Sequence, residues 1–264
     1  MTPRTYLFVP ATRVDRVPKA FDSGADAVIV DLEDAVAPSA KDAARRSLVD
    51  DLADQPVHVR LNADEHLEAD LAVLAELPQL RGVMVPKVES AAVVDRVRVA
   101  LPQIEVLIAL VETPRGILRC DSLATLEAVD LLAFGAVDYS AALGVDPSEP
   151  LLLVPRSRLA LAAAAAGKPP PIDGPFLAMD DDAGLEADCR SAAALGMGAK
   201  LCIHPRQVAV AASVFGSPAE LGWAEAVLAE AGRRPGEGAF RFEGALVDAP
   251  VLARAQRIVD RHST

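Results

Sequence analysis

The sequence predicts an α/β fold: an eight-stranded (β/α)8 TIM barrel with a helical C-terminal extension. Three observations predict it. Eight short apolar runs alternate with helix-like segments, the pattern of a parallel sheet covered by helices. The 264 residues are 52% apolar but only 4% aromatic, so the core is aliphatic, as suits parallel strands under Ala-rich helices. The loop after the first run, FVPATRVDR, has no glycine-rich dinucleotide signature, which disfavours an open doubly wound sheet.

The runs follow in order. TYLFV covers Thr5–Val9, AVIVDL Ala27–Leu32, VHVRL Val57–Leu61 and GVMVPK Gly82–Lys87. VLIALV covers Val106–Val111, LLAFG Leu131–Gly135, the weaker PPIDGP Pro170–Pro175, and AKLCIHP Ala199–Pro205. Between them, PSAKDAARRSLVDDLAD opens on a Pro-Ser start signal and sets Ala43, Leu48 and Leu52 on one stripe. SAAVVDRVRVALP opens on Ser90, a candidate cap, and stops at Pro102. RSRLALAAAAAGK closes on Gly167, and DDAGLEADCRSAAALGMG stops at glycines. The tail contributes a helix, SPAELGWAEAVLAEAG, then a turn-rich piece leading into a terminal helix. This divides the chain into a barrel, residues 1–216, and an extension, residues 217–264, that packs on the barrel or on a neighbouring subunit.

A net charge of −12 disfavours a general nucleic-acid binder but leaves room for a small anion held by a few arginines. Cys120, Cys189 and Cys202 fit no zinc spacing and read as reduced thiols of a cytoplasmic protein. The opening MTPRTYLFVP lacks a signal-peptide core, and no apolar run approaches the ~20 residues of a membrane helix.

Barrel chemistry sits at the C-terminal ends of strands. Several runs here end in polar or charged residues: Asp31, Glu33 and Asp34; Arg60 and Asn62; Lys87 and Glu89; Glu112; Asp138; His204. Glu112 and Asp138 follow neighbouring strands, so their carboxylates repel unless a proton or a cation intervenes. Few protein ligands with open positions point to Mg²⁺. Alternatively, Asp138 caps a helix beginning at Tyr139. Arg60 needs an anion: an internal acid such as Asp31 or Glu33, or a substrate carboxylate. His204 reads as a structural imidazole bonded to backbone, and Lys87 either pairs with a strand-end acid or serves the site.

The stretches YLFVPATR, GADAVIVDLEDAVAPSAKDAAR, VRLN, VMVPKVES, ALVETPRGIL, GAKLCIHPRQV and GAFRFEGALVDAPVLARAQRIV run from Tyr6 to Val259. Together they resemble the citrate lyase beta subunit-like proteins of the HpcH/HpaI aldolase superfamily. The resemblance implies a Mg²⁺-dependent TIM-barrel lyase, often a homotrimer. Such an enzyme breaks or forms the carbon–carbon bond of citryl, malyl or citramalyl thioesters, with a 2-keto acid such as oxaloacetate and an acyl-CoA as partners. It implies metal binding by Glu112 and Asp138, carboxylate binding by Arg60, and proton transfer at the thioester by Asp248, supplied from a neighbouring subunit. Arg13 and Lys41 become candidates for the coenzyme A phosphates. The alternative is a solvated face on which Arg13, Arg16, Lys19, Lys41 and Arg45 pair with nearby acids.

Two positions depart from the family pattern: Val137 stands before Asp138 where many relatives have Glu, and Ala11 replaces a glycine. Three other functions compete: a citrate lyase beta subunit acting on a carrier-protein thioester, a non-catalytic barrel binding a keto acid or CoA ester, and an aldolase of free hydroxy acids.

Overall fold

The computed structural model describes residues 3–52 and 54–263. Eight parallel strands close into a barrel in sequence order. They are β1 Thr5–Pro10, β2 Ala27–Asp31, β3 Val57–Arg60, β4 Leu80–Val85, β5 Val106–Val111, β6 Leu131–Phe134, β7 Ile172–Asp173 and β8 Ala199–Cys202. The strands are apolar on both faces because both are buried. Tyr6, Ile29, Met84, Ile108, Leu110, Ala133, Ile172 and Leu201 fill the interior. Alternate residues such as Leu7, Val28, Val30, Val59, Val83, Leu107, Leu132 and Phe134 pack outward under the helices. This alternation points Asp31, Arg60 and Glu112 into the C-terminal mouth.

The helices are α1 Val17–Asp22, α2 Lys41–Asp50, α3 Leu67–Ala75, α4 Ala91–Ala100, α5 Pro114–Leu118 and α6 Cys120–Ala124. They continue with α7 Ala136–Ala142, α8 Glu149–Ala165, α9 Asp182–Ala194 and α10 Pro205–Phe215. Two of them differ from the sequence expectation. In α2 the buried stripe runs through Ala44 and Leu48, and Ala43 is exposed, because residues four apart share a helix face and Ala43 lies five before Leu48. Helix α8 runs over Glu149–Ala165 and through Pro155, so it begins seven residues before Arg156, where the segment read from the sequence starts.

Strand β7 is the weak stave. It offers one register pair to β6 and two to β8. Four charges on the outer side of the sheet reinforce it. Asp173 on β7 takes a bidentate pair from Arg156 of α8, at 2.8 and 2.9 Å, and accepts from Lys200 of β8 at 2.6 Å. Asp188 of α9 joins both cations. Burial works against the Asp188 charge, but Lys200 and Arg156 prevail and hold its carboxyl below the usual range.

Residues 218–263 form a module with a small core of its own. Helix α11, Pro218–Gly232, and helix α12, Ala249–Ser263, pack against a hairpin of β9, Ala239–Phe242, and β10, Ala245–Asp248. The two-residue loop Glu243–Gly244 takes positive φ at both positions, 45° and 87°, as a tight hairpin turn requires. Val227, Phe240, Val247, Ala255 and Ile258 fill its core. A cleft of about 840 Å³ lies between α12 and the N-terminal ends of β6–β8, at the pole opposite the mouth.

The quartet generates a prediction. Asp173→Asn leaves two buried cations facing one carboxylate and should cost roughly 3–5 kcal/mol in chemical denaturation. A cost below about 1 kcal/mol would show that β7 closes the barrel without its charges.

Candidate active site

The mouth is assembled around Arg60, the last residue of β3. Its Nε and Nη2 donate to the two oxygens of Asp31 at 2.7 and 2.6 Å. Its Nη1 lies 2.7 Å from Glu33 and 3.4 Å from Asp34, and the guanidinium stacks 5.1 Å from the Phe8 ring centroid. Asp31 also accepts from the backbone N–H groups of Glu33 and Ala35, folding the DLEDA loop back over the strand end. Burial works against the Arg60 charge, yet Asp31, Glu33 and Glu112 raise its pKa further.

Lys87 follows β4 with φ of 51°, a left-handed conformation uncommon outside glycine. That turn aims its backbone N–H at Glu112 Oε1, 2.8 Å away, while its ammonium pairs with Glu33. Burial opposes the ammonium charge, but Glu33, Asp34 and Glu112 raise its pKa. Glu33 itself is pushed up, first by burial and then by Asp34, against the pull of Arg60 and Lys87.

Glu112 is 2% exposed at the end of β5. Burial, followed by the charges of Glu33 and Asp138, pushes its carboxyl up to about 8. Gly135, just after β6, makes room for it: a Cβ there would lie 2.3 Å from both Cβ and Oε2 of Glu112. Asp138 sits in the first turn of α7, half-buried, and so is not the cap of a helix starting at Tyr139. Two carboxyls of adjacent βα units, one with its charge suppressed by burial and then by like-charged neighbours, are a donor set that a hard divalent cation relieves. On the Lys87 side of the mouth opens a cavity of about 230 Å³ lined by Glu33, Asp64, Lys87 and Glu89.

The other candidates are placed differently. Lys41 is buried, and its ammonium donates to the carbonyls of Leu32 and Glu33 and to Asn62 Oδ1, which leaves it no N–H for a phosphate. Arg45 is likewise buried, against Asp70 at 2.7 Å. These two side chains fold inward and tie the β2 and β3 loops together. Arg13 is exposed and forms a bidentate pair with Asp15. His204 caps α10, its Nδ1 accepting from Arg206 N at 3.3 Å. Asp248 ends β10 and accepts from Val251 N at 3.4 Å; among the described residues no hydrogen bond or ion pair joins it to the mouth of its own barrel. Asp70, which completes the buried support with the strand-end Asn62, is missed by a search of strand ends because it lies on α3. Asp64, Glu65 and His66 form a further cluster with ligand atoms within 4.8 Å, largely exposed on the β3 loop.

The family model for HpcH/HpaI aldolase/citrate lyase matches residues 4–205. The chain belongs to this family. It is 38% identical over 280 residues to a citrate lyase subunit beta-like protein of Deinococcus radiodurans, covering 98% of this chain and 97% of that one. It is 32% identical to human mitochondrial citramalyl-CoA lyase over 287 residues, covering 97% of this chain and 84% of the relative. The crystal structure of CitE from Mycobacterium tuberculosis, in complex with magnesium, acetoacetate and coenzyme A, is 37% identical and superposes with a TM-score of 0.83. That match covers 99% of this chain and 98% of the other. By family the chain is an enzyme of the lyase class.

The raised Glu112 carboxyl makes a pH prediction for metal-free protein. Its folded pKa lies above the ordinary value of 4.5, so the folded state holds the extra proton and stability falls as pH rises from about 4.5 to about 8. Glu112→Gln should therefore be near neutral at pH 5 and stabilising by roughly 4 kcal/mol at pH 8.5. Denaturation in excess chelator at both pH values measures this, and an equal effect at the two would refute the buried proton.

Proposed function

We propose that this chain is a Mg²⁺-dependent carbon–carbon lyase. It cleaves a 3-hydroxy-acyl-CoA thioester such as malyl-, citramalyl- or citryl-CoA into an acetyl thioester and a 2-keto acid, or forms it by Claisen condensation. The observation that carries this reading is the buried Glu112 carboxyl, held up to about 8 beside Asp138 and facing the fork of Arg60. Glu112 and Asp138 hold the cation. When bound, Mg²⁺ supplies Lewis acidity toward the carboxylate and the oxygen that becomes the keto group.

The chain's own residues supply the rest. Arg60 orients the keto-acid carboxylate through the Nη2 N–H that Asp31, Glu33 and Asp34 leave over. Asp31 holds the guanidinium at two of its N–H groups, and Lys87 fixes Glu112 through its backbone N–H. As the carbon–carbon bond breaks, the hydroxyl proton leaves to a base and the electrons pass to the thioester α-carbon, which must be protonated. Asp248 of a neighbouring copy delivers that proton, and in the reverse direction removes it. Among the described residues no hydrogen bond or ion pair joins Asp248 to its own mouth, which supports completion across an oligomer, a homotrimer by family likeness. In this reading residues 217–264 form the segment exchanged between copies. The three buried free cysteines suit a cytoplasmic protein, and among the described residues no helix is long and apolar enough to cross a membrane.

Acetyl-CoA release from the three thioesters, with Mg²⁺ and with chelator, tests the chemistry. Glu112→Ala and Asp248→Ala should each lower kcat by at least about 100-fold. Refolded together, the two variants should regain activity, because mixed oligomers contain intact mouths facing intact hairpins. Full activity of Asp248→Ala would reject transfer across subunits, and metal-independent release would reject the lyase mechanism.

A further inference from the structure

We infer that the cleft of about 840 Å³ between α12 and the N-terminal pole of the barrel is a binding site for an apolar monocarboxylate. It lies at the opposite end of the barrel from the mouth and takes no part in the lyase chemistry.

The junction between barrel and module builds the cleft. Helix α10 ends at Phe215, Gly216 follows, and Ser217 caps α11 by accepting from Glu220 N at 3.4 Å. From there the module folds around its own core. Two bodies with separate cores meet at this short link, and ligand pockets favour such junctions. Small residues keep the barrel side open: Ala193, Ala194, Gly196 and Gly198 line it. The link itself has no room for a side chain, since a Cβ on Gly216 would lie 2.3 Å from Nη1 of Arg4.

The lining has two parts. Leu131, Ile172, Met197, Val214 and Phe215 supply apolar surface. Arg4 from the barrel and Arg254 and Arg257 from α12 supply positive charge, against Glu220 and Asp260. Three arginines facing two acids leave one positive charge in excess. The chain as a whole is the reverse, with 38 acidic and 26 basic residues. A bare apolar ligand would cover these guanidinium groups without replacing their hydration. A nucleotide would bring several negative charges against an excess of one. An apolar body with one carboxylate matches both parts of the lining.

Arg254 is placed to receive that carboxylate. It lies 3.6 Å from Glu220, too long for a hydrogen bond, and 5.0 Å from the Trp223 ring centroid. Arg257 stands three residues on, so the two share a face of α12.

A ligand in the cleft touches barrel and module at once and ties them together. The module carries Asp248, so an occupied cleft fixes the hairpin against its own barrel and withholds it from a neighbouring copy. That consequence rests on the lyase reading; the binding site does not.

Trp223 is the single tryptophan of the chain and reports on Arg254. The test is a titration of the full chain with decanoate below its micellar range, followed by Trp223 fluorescence and by calorimetry. Decanoate should bind saturably. Decyltrimethylammonium, the same chain with the opposite charge, and acetate, the head without the chain, should each bind at least about tenfold more weakly. Arg257→Glu should weaken decanoate binding at least about tenfold and Arg257→Gln by less, with the circular dichroism of both unchanged. Ala194→Phe, which fills the cleft and leaves its charges alone, should weaken it as well. Under the lyase reading, decanoate should slow acetyl-CoA release by the wild type and not by Arg257→Glu. Equal binding of decanoate and decyltrimethylammonium, unchanged affinity in folded Arg257→Glu, or no saturable binding overturns the site. Binding that leaves acetyl-CoA release unchanged overturns its hold on the hairpin. A chain that binds decanoate and cleaves none of the thioesters overturns the lyase reading alone.

Discussion

Arg60 and Asp31 lock together across β2 and β3, and the arrangement of the mouth depends on that pair. A guanidinium cannot shed its charge, so at a strand end that is largely buried it must be met by an anion. Asp31 meets it in bidentate fashion and, with its remaining capacity, gathers the loop that carries Glu33. Glu33 then reaches both Arg60 and Lys87. Lys87, held in a left-handed turn, presents its N–H to Glu112. The acid that crowns β5 is thus oriented through a relay beginning two strands away. Below it, Lys41, Asn62, Asp70 and Arg45 form a buried frame that keeps the loops from shifting under the load.

The barrel separates two kinds of interaction. Its staves are held by aliphatic packing on both faces, and its charges are gathered into a few compact sets. The quartet behind β7 is balanced, two cations and two anions, and it supports the shortest strand. The mouth is unbalanced, with acids in excess. An excess of like charge in a buried setting opposes folding, and a bound cation relieves it. The least comfortable group in the mouth, the Glu112 carboxyl, is therefore the one best suited to a ligand that brings positive charge.

Much of this was legible in the sequence for identifiable reasons. Strands buried on both faces are apolar throughout, so seven of the eight announced themselves. The polar residues just past them, Arg60, Glu112 and Asp138 among them, follow from the rule that barrel chemistry sits at strand ends. The stave β7 was faint because two residues among prolines carry almost no periodicity, and its support comes from Arg156, Asp188 and Lys200 on three other elements. Lys41 and Arg45 were read as outward-facing because long basic side chains usually are; their stems instead lead the charge inward to carbonyls and to Asp70. The turn-rich tail hid a hairpin whose signal was the Glu243–Gly244 pair.

The close approach of Gly135 to Glu112 has a consequence for how this chain can diverge. The space that any side chain at 135 would fill is already occupied by the carboxyl. The two positions therefore behave as one unit of descent. Alanine at 135 is admissible only in a lineage where residue 112 has already shortened or turned away, and such a lineage has surrendered the acid first. The order of the two changes is fixed by geometry, so a descendant carrying a side chain at 135 would be recognisable, from that residue alone, as one that had left this chemistry.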